Sequence, residues 1–214
     1  WVVRRKNRHD IRVLNLSFSA PVQSHYWDDP VNQAVMRAWE AGIVVVVSAG
    51  NGGPDPMTIG VPGNVPYVIT VGAMSDNHTP ELASDDRLAS FSATGPTVEG
   101  FVKPEVVAPG GHIVGLMNNM MTIAAAHPEY HDGGAYFTMS GTSQSASVVS
   151  GIVALVLEAE PNLTPDQVKC KILSAARPAI DGAGNLAYSV FQQGAGMVNA
   201  YDAVYGWNYD CANR

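Results

Sequence analysis

FTMSGTSQSASVVSGIVALVLE, residues 137–158, sets a Gly-Thr-Ser triplet in front of a long run of small and apolar residues. The run predicts a helix from about Thr142 to Glu158. Serine favours helix starts, where its hydroxyl accepts an orphan backbone N–H. On that reading the triplet is a cap. The alternative is a nucleophile held at a helix N-terminus, where N–H groups and the helix dipole favour developing negative charge. The remainder of the chain has to decide between the two.

The chain has 214 residues, enough for one domain with a sizeable core. Charged residues make up only 14 %, which speaks against disorder and for a globule with much buried backbone. The net charge is −7 and no basic stripe carries interleaved aromatics, so no nucleic-acid partner is expected. Arg4, Arg5, Lys6 and Arg8 form the one basic patch and read as a solvated helix face. No run reaches the roughly 18 apolar residues of a membrane span, and no membrane partner is expected. Cys170 and Cys211 fit no zinc spacing; one disulfide or two thiols both remain open. WVVRRKNRHD lacks a Met and reads as the tail of an amphipathic helix, so the chain is expected to begin inside a larger protein.

Outward from the triplet, RVLNLSF (12–18) suits a buried strand. Asp28 or Asp29 can cap a helix with Pro30 at its first position, and Gly42 ends it. IVVVVSAGN and PYVITVGA (66–73) are continuous β-branched runs, as in strands covered on both faces. Strand, helix, strand, loop, strand in this order predict an α/β fold with a mostly parallel sheet. Short strands are predicted at Leu88–Ser92 and Pro104–Ala108. The stretch from Gly111 to Tyr136 reads as a surface excursion; Met117, Met120 and Met121 in it line a cleft or fill gaps in packing. Thr164 to Gln167 is a capping box opening a helix to about Ala176, and a last short helix starts near Asn199.

The second informative piece is SAGNGG (48–53), at the C-terminal end of the strand IVVVV, where functional groups gather in open α/β sheets. Its glycines loosely suggest a dinucleotide loop. Pro54 and Pro56 follow where that fingerprint needs a helix, which argues against it. The two pieces together resemble the subtilisin-like serine proteases: G-T-S-x-[SA] at a helix start, preceded by a strand ending in A-G-N. RVLNLSFSAP, VVVVSAGNGG, IGVPGNVPYVITVGA, FSATGP, KPEVVAPG, TPDQVKCKILSAA and GAGMVNAYDAV resemble further family segments in the family's order. The resemblance implies a three-layer α/β/α domain of which residues 1–214 are the C-terminal two-thirds, with the N-terminal part missing.

Carried over residue by residue, the resemblance makes Ser143 the acylating nucleophile and Asn51 an oxyanion-hole donor beside the Ser143 backbone N–H. Gly50, Asn51 and Gly60 would lie around the primary specificity pocket, where small residues leave room for a substrate side chain. Ser17, Phe18 and Ser19 would offer a strand edge to a peptide substrate; for Phe18 a place in the core is an equal reading. The family's D-T/S-G and H-G-T-H patterns occur nowhere here. None of His9, His25, His78, His112, His127 and His131 follows the family pattern, and all fall in polar loops or at the start. The expectation is a chain inactive by itself, completed by an N-terminal fragment or covered by another copy. A non-catalytic subtilase-like binding or scaffold module is the alternative, and an unrelated α/β binding protein a third. Ser147 stands where relatives usually have proline, and Gln144 where many have methionine. No cofactor is required. The resemblance allows a structural Ca²⁺ without naming ligands; Asp76, Glu81, Asp85 and Asp86 form a carboxylate-rich loop that reads better as solvated. Secretion follows from the resemblance alone.

Overall fold

The computed structural model describes residues 1–77, 79 and 85–213. The order of elements begins α1 (Val2–His9), β1 (Val13–Leu16), α2 (Pro30–Glu40), β2 (Val44–Ser48), β3 (Ile69–Ser75), β4 (Arg87–Leu88) and β5 (Val106–Pro109). It continues with β6 (Ile113–Leu116), α3 (Thr122–Ala126), β7 (Tyr136–Met139) and α4 (Thr142–Ala159). The chain closes with α5 (Pro165–Ala175), α6 (Val190–Gln193) and α7 (Ala200–Tyr205).

The sheet answers the sequence reading. β1, β2, β3 and β5 run parallel in that spatial order, and the short β4 adds antiparallel to the far end of β3. Every residue of β2 is buried, which explains the unbroken Val run. α4 lies across β1, β2, β3 and β5, with α5 and α7 packed on it, and α2 packs against β2. Ala146, Val149, Ile152, Val153 and Val156 carry that contact, so the apolar length of α4 belongs to the core.

The local signals hold with small shifts. Asp29 is the cap of α2, accepting from the N–H of Val31 and Asn32. Thr164 and Gln167 form the reciprocal capping box of α5. Cys170 and Cys211 form a disulfide. Lys6 departs from the solvated-face reading, because its ammonium donates to the Ala41 carbonyl.

The 113–139 stretch lies at the surface as expected and carries secondary structure of its own. β6 and β7 pair antiparallel, and α3 and a 3₁₀ turn at Pro128–Tyr130 sit between them. Met120 and Met121 are exposed there and fill no gap in the core. His131 is a correction to the polar-loop reading: its side chain is 5 % exposed, with Nε2 3.0 Å from the Met117 carbonyl.

The two outer edges of the sheet differ. The chain from Ala195 to Val198 closes the β5 edge, through Val107 N–H to Gly196 O and Val198 N–H to Val107 O. Among the described residues no strand pairs with the outer edge of β1. Beside that edge lies an apolar recess of about 480 Å³, lined among others by Val2, Leu14, Leu16, Phe18 and Val35.

Candidate active site

β2 ends at Ser48 and delivers Ala49–Gly50–Asn51 to the C-terminal rim of the sheet. β7 ends at Met139 and delivers Gly141–Thr142–Ser143 to the same rim, where α4 starts. The two turns are tied together directly. Asn51 Oδ1 accepts from the Thr142 N–H at 3.0 Å and from the Thr142 hydroxyl at 2.8 Å. Thr142 Oγ1 in turn accepts from the Gly50 N–H at 3.2 Å. Fixing the carbonyl half of the amide fixes where its NH₂ half points.

That half points to the start of α4. A Cβ placed on Gly141 would stand 3.4 Å from Asn51 Nδ2 and 3.7 Å from the Ser143 nitrogen. The Asn51 amide nitrogen and the Ser143 N–H therefore lie near one point at the first turn of α4. Gln144 Oε1 stands 2.8 Å from the same point. Turning the Gln144 amide over would present a third donor there.

The Ser143 hydroxyl donates to the Ser17 carbonyl at 3.1 Å, and the Ser17 hydroxyl donates to the Ser143 carbonyl at 3.0 Å. This reciprocal pair locks the continuation of β1 onto the first turn of α4. A carbonyl oxygen is a poor proton acceptor, so in this arrangement the serine is held without being activated. Ser147 Oγ donates to the Ser143 carbonyl at 3.0 Å, one turn along the helix. The position where the resemblance leads one to expect proline thus carries a bond back to Ser143.

Ser19, Gly50, Asn51 and Gly60 line one cleft of about 460 Å³, closed by Met57 and Val98. The glycines serve the backbone as much as a ligand. A Cβ on Gly60 would lie 2.1 Å from Ser19 Oγ and 2.7 Å from the Ala20 carbonyl. Gly50 has φ +109, and its Cβ would lie 2.9 Å from Ser19 Oγ. The room these residues leave is taken first by Ser19. Phe18 separates from the group: its side chain is half-exposed and lines the apolar recess beside β1, while its carbonyl accepts from Ser48 Oγ at 3.1 Å.

The sequence reading missed Thr142. Its side chain is buried and orients Asn51, but the bond joins residues 91 apart in the chain. The only signal available was its place in the G-T-S triplet. Glu81 of the carboxylate-rich loop, and His78, lie outside the described residues. In that loop Asp85 accepts from the Thr79 hydroxyl, and Asp86 is raised by burial and by the charges of Asp85 and Asp76. No group of three or more His, Cys, Asp or Glu is placed to hold a metal ion among the described residues.

The chain is similar to known proteins over most of its length. The description of the subtilase family, peptidase S8, matches residues 1–207. Serine protease AprX of Bacillus subtilis is 44 % identical over 197 residues, covering 92 % of this chain and 43 % of AprX. Subtilisin DY of Bacillus licheniformis is 31 % identical over 199 residues, covering 92 % of this chain and 58 % of that protein. Among solved structures, fervidolysin of Fervidobacterium pennivorans superposes with a TM-score of 0.69 at 26 % identity, over 96 % of this chain and 28 % of its own. The chain therefore spans about half the length of the curated relatives it matches.

Proposed function

Because the chain belongs to the subtilase family, we propose that it carries the nucleophile and oxyanion hole of a serine endopeptidase, with Ser143 and Asn51 in those roles. The observation that carries this reading is that Asn51 Nδ2 and the Ser143 N–H both lie within 3.7 Å of one point at Gly141, with the Asn51 carbonyl held by Thr142. Attack of the Ser143 hydroxyl on a peptide carbonyl, with its proton passed to a base, gives a tetrahedral intermediate whose oxygen carries negative charge; collapse breaks the C–N bond, the amine leaves with that proton, and the acyl-enzyme remains. A fixed amide and a helix N-terminal N–H suit that charge, and neither titrates. Both donors exist before substrate arrives, because Thr142 holds the Asn51 carbonyl.

Ser17–Ser19 offers main-chain groups to an extended peptide, and the Ser19–Gly50–Gly60 cleft takes one substrate side chain. For acylation the Ser143 hydroxyl must leave the Ser17 carbonyl and pass its proton to a base. The D-T/S-G and H-G-T-H patterns are absent from these 214 residues, so the base comes from residues outside them. The open edge of β1 and the apolar recess beside it are where that element, or another copy, docks. Without it these residues bind and orient but do not hydrolyse. The reading requires no cofactor. The Cys170–Cys211 disulfide supports an oxidising, extracytoplasmic location.

The test is hydrolysis of fluorogenic peptides by the 214-residue chain, by a longer protein carrying the two missing patterns, and by its Ser143→Ala variant. Hydrolysis by the longer protein only, lost in the variant, is expected. A longer protein that binds peptides and never cleaves them would favour the scaffold reading.

A further inference from the structure

A crowded polar site lies on α5, at Lys169. Lys169 on α5 is 5 % exposed, and five oxygens stand within hydrogen-bond reach of its Nζ. They are the carbonyls of Pro66 at 2.9 Å, Tyr67 at 3.0 Å and Val68 at 3.2 Å, Glu105 Oε1 at 2.9 Å and Asn213 Oδ1 at 3.1 Å. An ammonium has three protons to donate. Five acceptors at nearly equal distance exceed what directed hydrogen bonds require. Successive carbonyls, an amide oxygen and one carboxylate around a single positive centre are instead the donor set of a hard cation.

We infer that Pro66, Tyr67, Val68, Glu105 and Asn213 build an oxygen cage for a cation of ammonium or potassium size, and that Lys169 fills it as a tethered ion. The cage is held from several directions. Glu105 Oε2 accepts from the Thr70 N–H at 2.8 Å, which fixes the carboxylate against β3. Asn213 Nδ2 donates to the Tyr67 carbonyl at 3.0 Å and to Asp166 Oδ1 at 2.6 Å. The disulfide anchors Asn213 from two residues away and joins α5 at Cys170, next to Lys169. A second ammonium, Lys103, shares Glu105 Oε1 and the Val68 carbonyl from the other side.

The position of the cage gives it a purpose. Residues 66–68 lead from the cleft wall at Ile59–Gly60 into β3. A covalently tethered charge ties that segment to α5, Glu105 and the C-terminal tail at any ionic composition. A dissolved ion would do so only while bound.

The test is the thermal midpoint of Lys169→Ala in the intact protein, measured in choline, potassium, ammonium and calcium chlorides at equal ionic strength. The variant is expected to lose stability in choline and to regain most of it in potassium or ammonium. Lys103→Ala, which leaves Lys169 in place, is expected to show no such preference. Equal midpoints of Lys169→Ala in all four salts would overturn the inference. If that variant does not fold in choline, folding restored by potassium or ammonium supports the inference, and failure to fold in all four salts overturns it.

Discussion

The start of α4 and the surroundings of Glu105 are both dense in polar groups, and they use them in opposite ways. At α4 the polar groups meet solvent: Asn51 is exposed and Ser143 half-buried. The carbonyl half of Asn51 is taken up by Thr142, and its NH₂ half lies near the first turn of α4. Around Glu105 nothing is open. Glu105 and both lysines are less than a tenth exposed, and one carboxylate oxygen serves two ammonium groups. Groups with hydrogen-bonding capacity in hand can meet a charge that appears during a reaction. Groups whose capacity is engaged can only hold the fold.

If that contrast is right, substitutions at the first site should lower turnover without lowering stability, and those at the second should do the reverse. The largest effect is expected from Ser143→Ala in the competent protease. Turnover should fall on the order of 10⁶, the scale known for subtilisin, with an unchanged melting temperature. Glu105→Gln comes next. It leaves two buried ammonium groups without a counter-charge and should cost about 3–5 kcal/mol of stability by denaturant titration. Asn51→Ala follows, with turnover down by about 10²–10³ and little change in KM; that magnitude is carried over from the corresponding subtilisin asparagine. Thr142→Val removes a hydroxyl that both donates to Asn51 and accepts from Gly50. Turnover should fall roughly fivefold, matching about 1 kcal/mol for one orienting hydrogen bond.

A further effect concerns pH. Burial pushes the Lys103 ammonium down to about 7, against the pull of Glu105. Between pH 7 and the ordinary lysine range the unfolded chain therefore binds more protons at this residue than the folded one. Stability from this group rises with pH across that window and is flat below it. Compared with Lys103→Met, the unaltered protein should gain in relative melting temperature from neutral to alkaline pH. A gap that stays constant would place an unperturbed lysine there.

Much of the first site was legible in the chain because its signals are local. A continuous Val run names a strand covered on both faces, and the A-G-N and G-T-S turns sit where strands end. The second site was not legible. Lys169 and Lys171 in a capped helix look like a solvated face, yet both are buried. Their partners are 64 and 11 residues away, at Glu105 and Glu160. The same holds for the disulfide, since a separation of 41 residues does not by itself choose between a bond and two thiols. Phe18 was divided between core and substrate edge. The structure gives its carbonyl to Ser48 and its ring to the recess beside β1.

The most direct measurement is labelling with a fluorophosphonate, followed by peptide mapping. The reagent reacts with a serine whose proton has a base to go to. A single adduct on Ser143 is expected in the longer protein, with none on the 214-residue chain alone, where the hydroxyl rests on the Ser17 carbonyl. An adduct on another serine, or none on Ser143 in a protein that cleaves peptides, would contradict the assignment of the nucleophile.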